Sequence, residues 1–283
     1  MITPLEFLQD LFNPALGFLP RALCALLLSS LVTGIVGCHV IMRGMVFIGD
    51  AVAHSVFPGL ALAFVMGGNL LLGGLSAGVL TAILVALCSQ NQRLREDSVI
   101  GIFFAGSFAA GIVIISLAPG YSASVQDFLF GSIAGVSGDD VLQAALLSLL
   151  IIVCLWFFHR QFVAVSLDRE SARAMGLPVL LLDIVLYVLV TVAVVISLQT
   201  LGNVLVLALI VIPASAARIL CSTLGRMLWV SPLFACLCSV TGLYLSWGYN
   251  LPTGGTIVLV MVAAFMMLWL FSAVYSRSVS RAV

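Results

Sequence analysis

The chain alternates between long apolar runs and short polar breaks. A helix needs about 20 mostly apolar residues to cross a membrane, and nine runs have roughly this length. Only residues 43–45 separate the first two runs and only 199–201 separate the sixth and seventh, so one of these joints could be a kink or a re-entrant piece. The pattern predicts an all-α fold, a polytopic transmembrane helical bundle with 8–9 spans, in a single transmembrane domain over residues 1–283. The nine runs cover residues 18–42, 46–66, 70–88, 99–118, 141–158, 179–198, 202–220, 229–247 and 255–275.

Composition supports a membrane protein and argues against a soluble one. Of the 283 residues, 63% are hydrophobic and 8% are charged, with a mean hydropathy of +1.29. A soluble domain carries about a quarter charged residues, so most of this surface must face lipid. The net charge is zero and every basic residue is Arg, without a polybasic patch. The sequence therefore gives no indication of a nucleic-acid partner.

Arginine placement predicts the orientation. Breaks that contain arginine alternate with breaks that lack basic residues, and positively charged loops stay in the cytoplasm. The sequence thus predicts a multi-pass protein of the cell (plasma or inner) membrane with a cytoplasmic C-terminus, whereas the side of the N-terminus depends on the number of spans. The arginine-bearing regions are 89–98, 159–178, 219–228 and the C-terminal tail.

One apolar run carries an aspartate and a histidine. Asp50 and His54 are four residues apart, so on a helix their side chains share a face. A carboxylate in the hydrocarbon costs roughly 2.5–3.5 kcal/mol, which is tolerated in a bundle interior or along a water-filled path. Carboxylate oxygen and imidazole nitrogen suit Zn²⁺, Mn²⁺ or Fe²⁺, but spacing alone is equally compatible with a hydrogen-bonded pair that fixes helix packing. Pro58 and Gly59 follow at once and can break the helix beside a cavity.

The segment 159–178 predicts a short charged helix between two spans. Asp168 is placed to cap it, Glu170 and Arg173 are spaced for an ion pair, and Gly176 with Pro178 would end it. The segment is either a solvated connector or a docking helix for a cytosolic partner.

Other polar residues interrupt the later spans. Gln199, Gly202 and Pro213 break the run 197–220 and are candidate hinges or path residues, as is Pro58, although most such interruptions serve only packing.

The remaining isolated polar residues have simpler interpretations. His39 is expected to be a buried, hydrogen-bonded residue, and Asp183 lies one turn inside a span, where it could be solvated. No GxxxxGK[ST] phosphate loop occurs, so the chain does not bind ATP in that way.

Six stretches in chain order resemble the permease subunits of ATP-binding-cassette importers for manganese, zinc and iron. Together they cover nearly the whole chain, although Cys38-His39 departs from the small and apolar residues expected there. The stretches are MRGMVFIGDAVAHSVFPGLALAF, REDSVIGIFFAGSFAAGIVIIS, VQDFLFGSIAGVSGDD, SLDRESARAMGLP, SLQTLGNVLVLALIVIPASAARIL and YNLPTGGTIVLV.

The resemblance implies a non-enzymatic permease that pairs with a second permease subunit; a homodimer is expected, and the sequence leaves open whether the two subunits are identical. Two cytosolic ATP-binding subunits would hydrolyse ATP, and an extracytoplasmic metal-binding protein would deliver the ion. Asp50 and His54 match the family's intramembrane metal positions, and Asp168, Arg169, Glu170, Arg173 and Gly176 match its coupling helix. The resemblance implies no permanently bound cofactor, only a transported divalent metal ion.

Two other functions remain open on the sequence. A secondary transporter that couples metal to protons would explain Asp50 and His54 equally well, but not the docking-type segment. An intramembrane metalloenzyme would need a third firm ligand and a general base, and neither lies nearby in the sequence. Which metal is carried, and whether it is free or chelated, is left open.

Overall fold

The computed structural model describes residues 3–45, 47–90, 96–117 and 135–280, and every regular element in this part of the chain is helical. The predicted all-α class is confirmed. Most of the stretch VQDFLFGSIAGVSGDD lies outside the described residues. The helices are α1 (Pro4–Leu11), α2 (Phe18–Met42), α3 (Ile48–Ser55), α4 (Phe57–Val65), α5 (Leu70–Cys88), α6 (Glu96–Ser116), α7 (Gly138–Phe157), α8 (His159–Leu167), α9 (Arg169–Ala174), α10 (Val179–Leu201), α11 (Asn203–Leu220), α12 (Leu224–Tyr249) and α13 (Thr253–Ser280), with a 3₁₀ turn at Pro14–Leu16.

Nine membrane-spanning segments are present among the described residues, when α3 and α4 are counted together as one span. The higher of the two predicted span numbers is therefore the one that the structure supports. The joint expected at 199–201 is helical, because α10 continues to Leu201 and the break falls at Gly202. Gly202 has φ +80° and ψ +162°, a backbone conformation essentially confined to glycine.

The other predicted interruptions lie inside or at the start of helices. Pro58 is in the first turn of α4, where its missing N–H leaves no bond unmade. Gln199 belongs to the last turn of α10, and α11 continues through the buried Pro213.

Two helices form the centre of the bundle. In α2, 72% of the most apolar window is buried, and in α10 the share is 67%, whereas in α13 it is 11%. Helices α2 and α10 are therefore surrounded by protein, and α13 presents most of its apolar surface outward, as a lipid-facing helix does.

Small and hydroxyl-bearing residues bring the helices together. Ser30 Oγ and Ser239 Oγ lie 2.8 Å apart, and Ser231 Oγ donates to the Gly34 carbonyl at 2.8 Å, so both pairs join α2 to α12. Helices α4 and α5 cross at Gly59 and Gly73, where a Cβ on Gly59 would stand 2.0 Å from the Gly73 carbonyl oxygen. Such close crossings are typical of membrane helices, because small residues let the backbones approach.

Helix α1 is tied to the far end of α12. Thr3 and Glu6 form a reciprocal capping box, and Phe7 packs edge-on against Tyr244 with ring centroids 5.5 Å apart. Trp247 Nε1 donates to Asp10 Oδ2 at 2.9 Å. The short helix ahead of the first span is thus fixed to the bundle.

Candidate functional site

The pair Asp50 and His54 lies on α3, a helix of eight residues that follows the turn after α2. His54 Nδ1 is 3.0 Å from the Asp50 carbonyl oxygen and 3.4 Å from Asp50 Oδ1. The predicted shared face is therefore present. When Nδ1 donates its proton to these oxygens, the lone pair of the neutral imidazole is on Nε2, which is the usual arrangement of a metal-ligating histidine.

Aromatic rings surround the histidine on one side. The ring centroids of Phe104 and Phe108, both on α6, lie 4.9 and 5.1 Å from that of His54, in edge-to-face contact. Phe108 also lies 5.9 Å from Phe57 at the start of α4. The side chain of His54 is 17% exposed and that of Asp50 is 36% exposed. The phenyl rings thus hold the imidazole in place while the carboxylate opens outward.

The donor set of the pair is incomplete for a tightly held metal. One carboxylate and one imidazole nitrogen provide two kinds of ligand suited to a divalent transition metal. Within the described ranges, no group of three or more His, Cys, Asp or Glu side chains is close enough to hold a metal ion. An ion at this pair would need further ligands from water or from another chain.

The short helix predicted within 159–178 is α9, and its cap is confirmed. Asp168 is the N-cap residue, and its carboxylate accepts hydrogen bonds from the Ser171 hydroxyl and from the Glu170 N–H at 3.0 Å. These bonds, the Ser171 hydroxyl first, lower the pKa of the Asp168 carboxyl below its usual value. Gly176, with φ +77°, follows the helix in the left-handed region, as expected of a helix stop.

The predicted Glu170–Arg173 ion pair is wrong. No such pair within 4 Å is formed in the described structure, and Arg173 Nη2 instead donates to Gln90 Oε1 at 2.8 Å, just beyond the end of α5. Side-chain length explains the difference, because an arginine on an exposed turn reaches a neighbouring helix as easily as its own. The exposed residues of this helix and its ends are Leu167, Asp168, Glu170, Ser171, Arg173, Ala174, Met175 and Gly176.

Asp183 is not solvated, contrary to the sequence-based expectation. It is fully buried, and Arg43 Nη1 donates to its Oδ1 at 2.6 Å. Arg169 Nη2 and, at 3.2 Å, Gln90 Nε2 donate to its Oδ2. Arg43 Nε also donates to Ser166 Oγ on α8 at 3.3 Å. We call these five residues the Asp183 network. In the sequence, the one signal that Asp183 pairs with a cation was its position inside the span with the highest hydropathy.

His39 is buried as predicted, but its Nδ1 has no hydrogen-bond partner among the described residues. Its ring packs against Phe162 at 5.7 Å between centroids and approaches His159 at 6.2 Å. The two histidines that stand apart in the sequence are therefore neighbours. The predicted hydrogen bond is therefore not formed at Nδ1, because the rings of Phe162 and His159 pack against the His39 ring.

Comparison with known proteins places the chain in a family. The model of the ABC 3 transport family matches residues 15–272, which is most of the chain. The chain belongs to the ABC 3 transport family. It is a multi-pass membrane protein, as its apolar helices and its family agree.

The alignments with individual relatives cover nearly the whole length of both chains. The manganese transport system membrane protein MntC of Listeria innocua is 35% identical over 266 residues, covering 94% of each chain. The chelated iron transport system membrane protein YfeC of Yersinia pestis is 34% identical over 268 residues, covering 95% of this chain and 90% of the relative. Among solved structures, PsaBC from Streptococcus pneumoniae, in complex with Fab, superposes with a TM-score of 0.82 at 32% identity, covering 94% of this chain and 95% of that one.

Proposed function

We propose that this protein is the membrane-spanning permease subunit of an ATP-driven importer of a divalent transition metal ion. Manganese and ferrous iron are the favoured cargoes, because the relatives named above carry manganese or chelated iron in their names, and the same donors suit zinc. Residues 1–283 form one transmembrane permease domain in the cell membrane, with the C-terminus in the cytoplasm. The observation that carries the proposal is the Asp50–His54 pair on a membrane-spanning segment, with the imidazole oriented through Nδ1.

The pair Asp50 and His54 is a transient binding site on the path of the ion. An incoming metal meets a carboxylate oxygen of Asp50 and Nε2 of His54, and water or the equivalent pair of a second permease copy completes its coordination. Two ligands from one chain hold an ion briefly, which suits passage rather than storage. A homodimer places two such pairs near the path, and an extracytoplasmic metal-binding protein supplies the ion.

The segment 168–176 is the contact with the ATPase. Two cytosolic ATP-binding subunits dock on this segment, in which Asp168, Glu170, Arg173 and Gly176 are exposed and Arg169 is partly exposed. This chain itself performs no hydrolysis. Pro58, Gln199, Gly202 and Pro213 are the positions at which the spans adjust as the path switches between outward- and inward-facing states.

The test is metal uptake by vesicles that contain this chain and its ATPase. Asp50→Asn replaces the carboxylate with a neutral, weaker amide ligand, and His54→Phe removes the imidazole nitrogens. Both changes keep the approximate size of the side chain, so ATP-dependent Mn²⁺ or Fe²⁺ uptake should fall at least about tenfold. Asp139→Asn, on an exposed residue at the start of α7, is the matched control and should transport normally.

Three results would contradict the proposal in different ways. Normal uptake by both ligand variants would make the pair a packing feature. Uptake driven by a proton gradient without ATP would make the protein a secondary carrier. Failure of the wild type to take up any divalent transition metal with ATP would remove the proposed function itself.

A further inference from the structure

The Asp183 network joins two parts of the molecule that the proposed function keeps separate. At one end is Arg169, in the first turn of α9, the segment assigned to the ATPase. At the other end is Arg43, which follows α2 and precedes by seven residues the Asp50 of the candidate metal pair. One buried carboxylate therefore contacts both the ATPase-facing segment and the link that leads into α3.

The two ends share the acceptor in a way that couples their positions. Arg43 bonds to Oδ1, whereas Arg169 bonds to Oδ2, so the carboxylate cannot turn to follow one guanidinium without disturbing the other. The side chains of Arg43 and Asp183 are 5% and 1% exposed, so water screens their attraction weakly.

The link that Arg43 anchors is itself packed against the bundle. The Met45 N–H donates to the Val40 carbonyl at 3.1 Å, and the Met45 side chain is fully buried. Beside the network, a cavity of about 400 Å³ is lined by Arg43, Arg169 and Asp97. This space lies between the link that carries Arg43 and the start of α9.

We propose that Asp183 is a positioning residue for transport, which holds the α2–α3 link, and with it Asp50 and His54, in register with the 168–176 segment. The inference rests on the proposed function, because it assumes that α9 receives the motion of the ATPase. A push on α9 displaces Arg169, the shared carboxylate follows, and Arg43 shifts the start of α3. The simpler alternative is a buried ion cluster with a structural role only, in which each charge needs the others because removal of one partner leaves a buried charge unpaired.

Hydrogen exchange separates these two interpretations without requiring transport. In the purified chain in detergent, Arg169→Gln should speed amide exchange of α3 (Ile48–Ser55) by about tenfold, the scale of a typical coupling between sites. Coupling is reciprocal, so Arg43→Gln should speed exchange within 168–176 by a similar factor. Arg160→Gln, on an exposed arginine of α8, is the matched control and should change neither segment. A change confined to the mutated segment would overturn the inference.

Transport supplies the second readout. Asp183→Asn leaves two guanidiniums around a neutral group and can prevent folding, so the Arg43 variants carry this part of the test. Metal ions transported per ATP hydrolysed should fall about tenfold in Arg43→Gln and recover in part in Arg43→Lys, which keeps the charge. If the cluster only stabilises the fold, Arg43→Gln will lower the melting temperature and leave the number of metal ions transported per ATP unchanged.

The two proposals fail separately. If the wild type imports no metal with ATP, the proposed function is lost, and the exchange experiment alone decides whether the network couples α9 to α3. If the wild type imports metal but Arg169→Gln leaves amide hydrogen exchange in α3 unchanged, the proposed function stands and the positioning role of Asp183 is refuted.

Discussion

The crossing of α4 and α5 predicts a large effect from the addition of one methyl group. In Gly59→Ala the new Cβ would lie 2.0 Å from the Gly73 carbonyl oxygen and 2.6 Å from Ala77 Cβ. Real Cβ atoms essentially never approach closer than 3.0 Å, so the oxygen contact alone is 1.0 Å too short. The obstacle is backbone, which cannot rotate away as a side chain can.

Overpacking of this kind destabilises by about 1–3 kcal/mol, and the helices must separate to relieve it. Gly59→Ala should therefore lower the thermal midpoint of the purified protein in detergent. Because α4 follows α3 directly, the displacement should also reduce metal uptake. The matched control is Gly106→Ala in α6, where nothing lies within 4 Å of the position that the added methyl group would take.

The thermal midpoints of the two variants are compared in the same detergent, with the folded fraction at each temperature measured by size-exclusion chromatography. The expected order places Gly59→Ala well below the wild type and Gly106→Ala level with it. If Gly59→Ala unfolds at the wild-type midpoint, α4 and α5 do not cross at backbone contact, which would contradict the packing of the span that carries Asp50 and His54.

Three further changes test other parts of the structure. Phe108→Ala removes one ring that holds His54, so the KM for metal uptake should rise by about tenfold; an unchanged KM would show that the imidazole needs no aromatic support. Gly176→Ala places a Cβ in the left-handed region and should lower the free energy of unfolding by about 1–2 kcal/mol, measured by denaturant titration in detergent, whereas a stability equal to wild type would contradict the positive φ. Trp247→Phe deletes the hydrogen bond to Asp10, so limited proteolysis between α1 and α2 should become faster, and cleavage at the wild-type rate would show that α1 is fixed by other contacts.

Local features of this protein were predictable because their physical causes are local. The apolar runs predicted the nine spans found among the described residues, with ends within about five residues, since crossing a membrane requires a minimum length of apolar chain. The cap at Asp168 and the stop at Gly176 followed from side-chain and backbone geometry inside one helical turn. The shared face of Asp50 and His54 followed from helical spacing alone.

Long-range features were not predictable in the same way. One partner of Asp183 is Arg43, 140 residues away, and the packing of α2 against α10 brings the two together. Arg173 and Glu170 have suitable spacing, yet Gln90 is the residue that Arg173 meets. The hydropathy pattern places the break at 199–201, whereas the helix ends at Gly202. Hydropathy does not distinguish a glutamine in a helix from a glutamine in a loop. The only sequence feature that accompanies the φ of +80° is the glycine residue.

The pairing of Arg43 with Asp183 also has a consequence for how the protein is made. Arg43 leaves the ribosome 140 residues before its carboxylate partner. At about 5–20 residues per second, the interval is roughly 7–28 s. Throughout that time the guanidinium must stay hydrated at the membrane surface. Helices α2 and α3 therefore enter the bilayer before the link between them can form its ion pair with Asp183. The centre of the bundle is therefore closed late in synthesis, when α10 arrives.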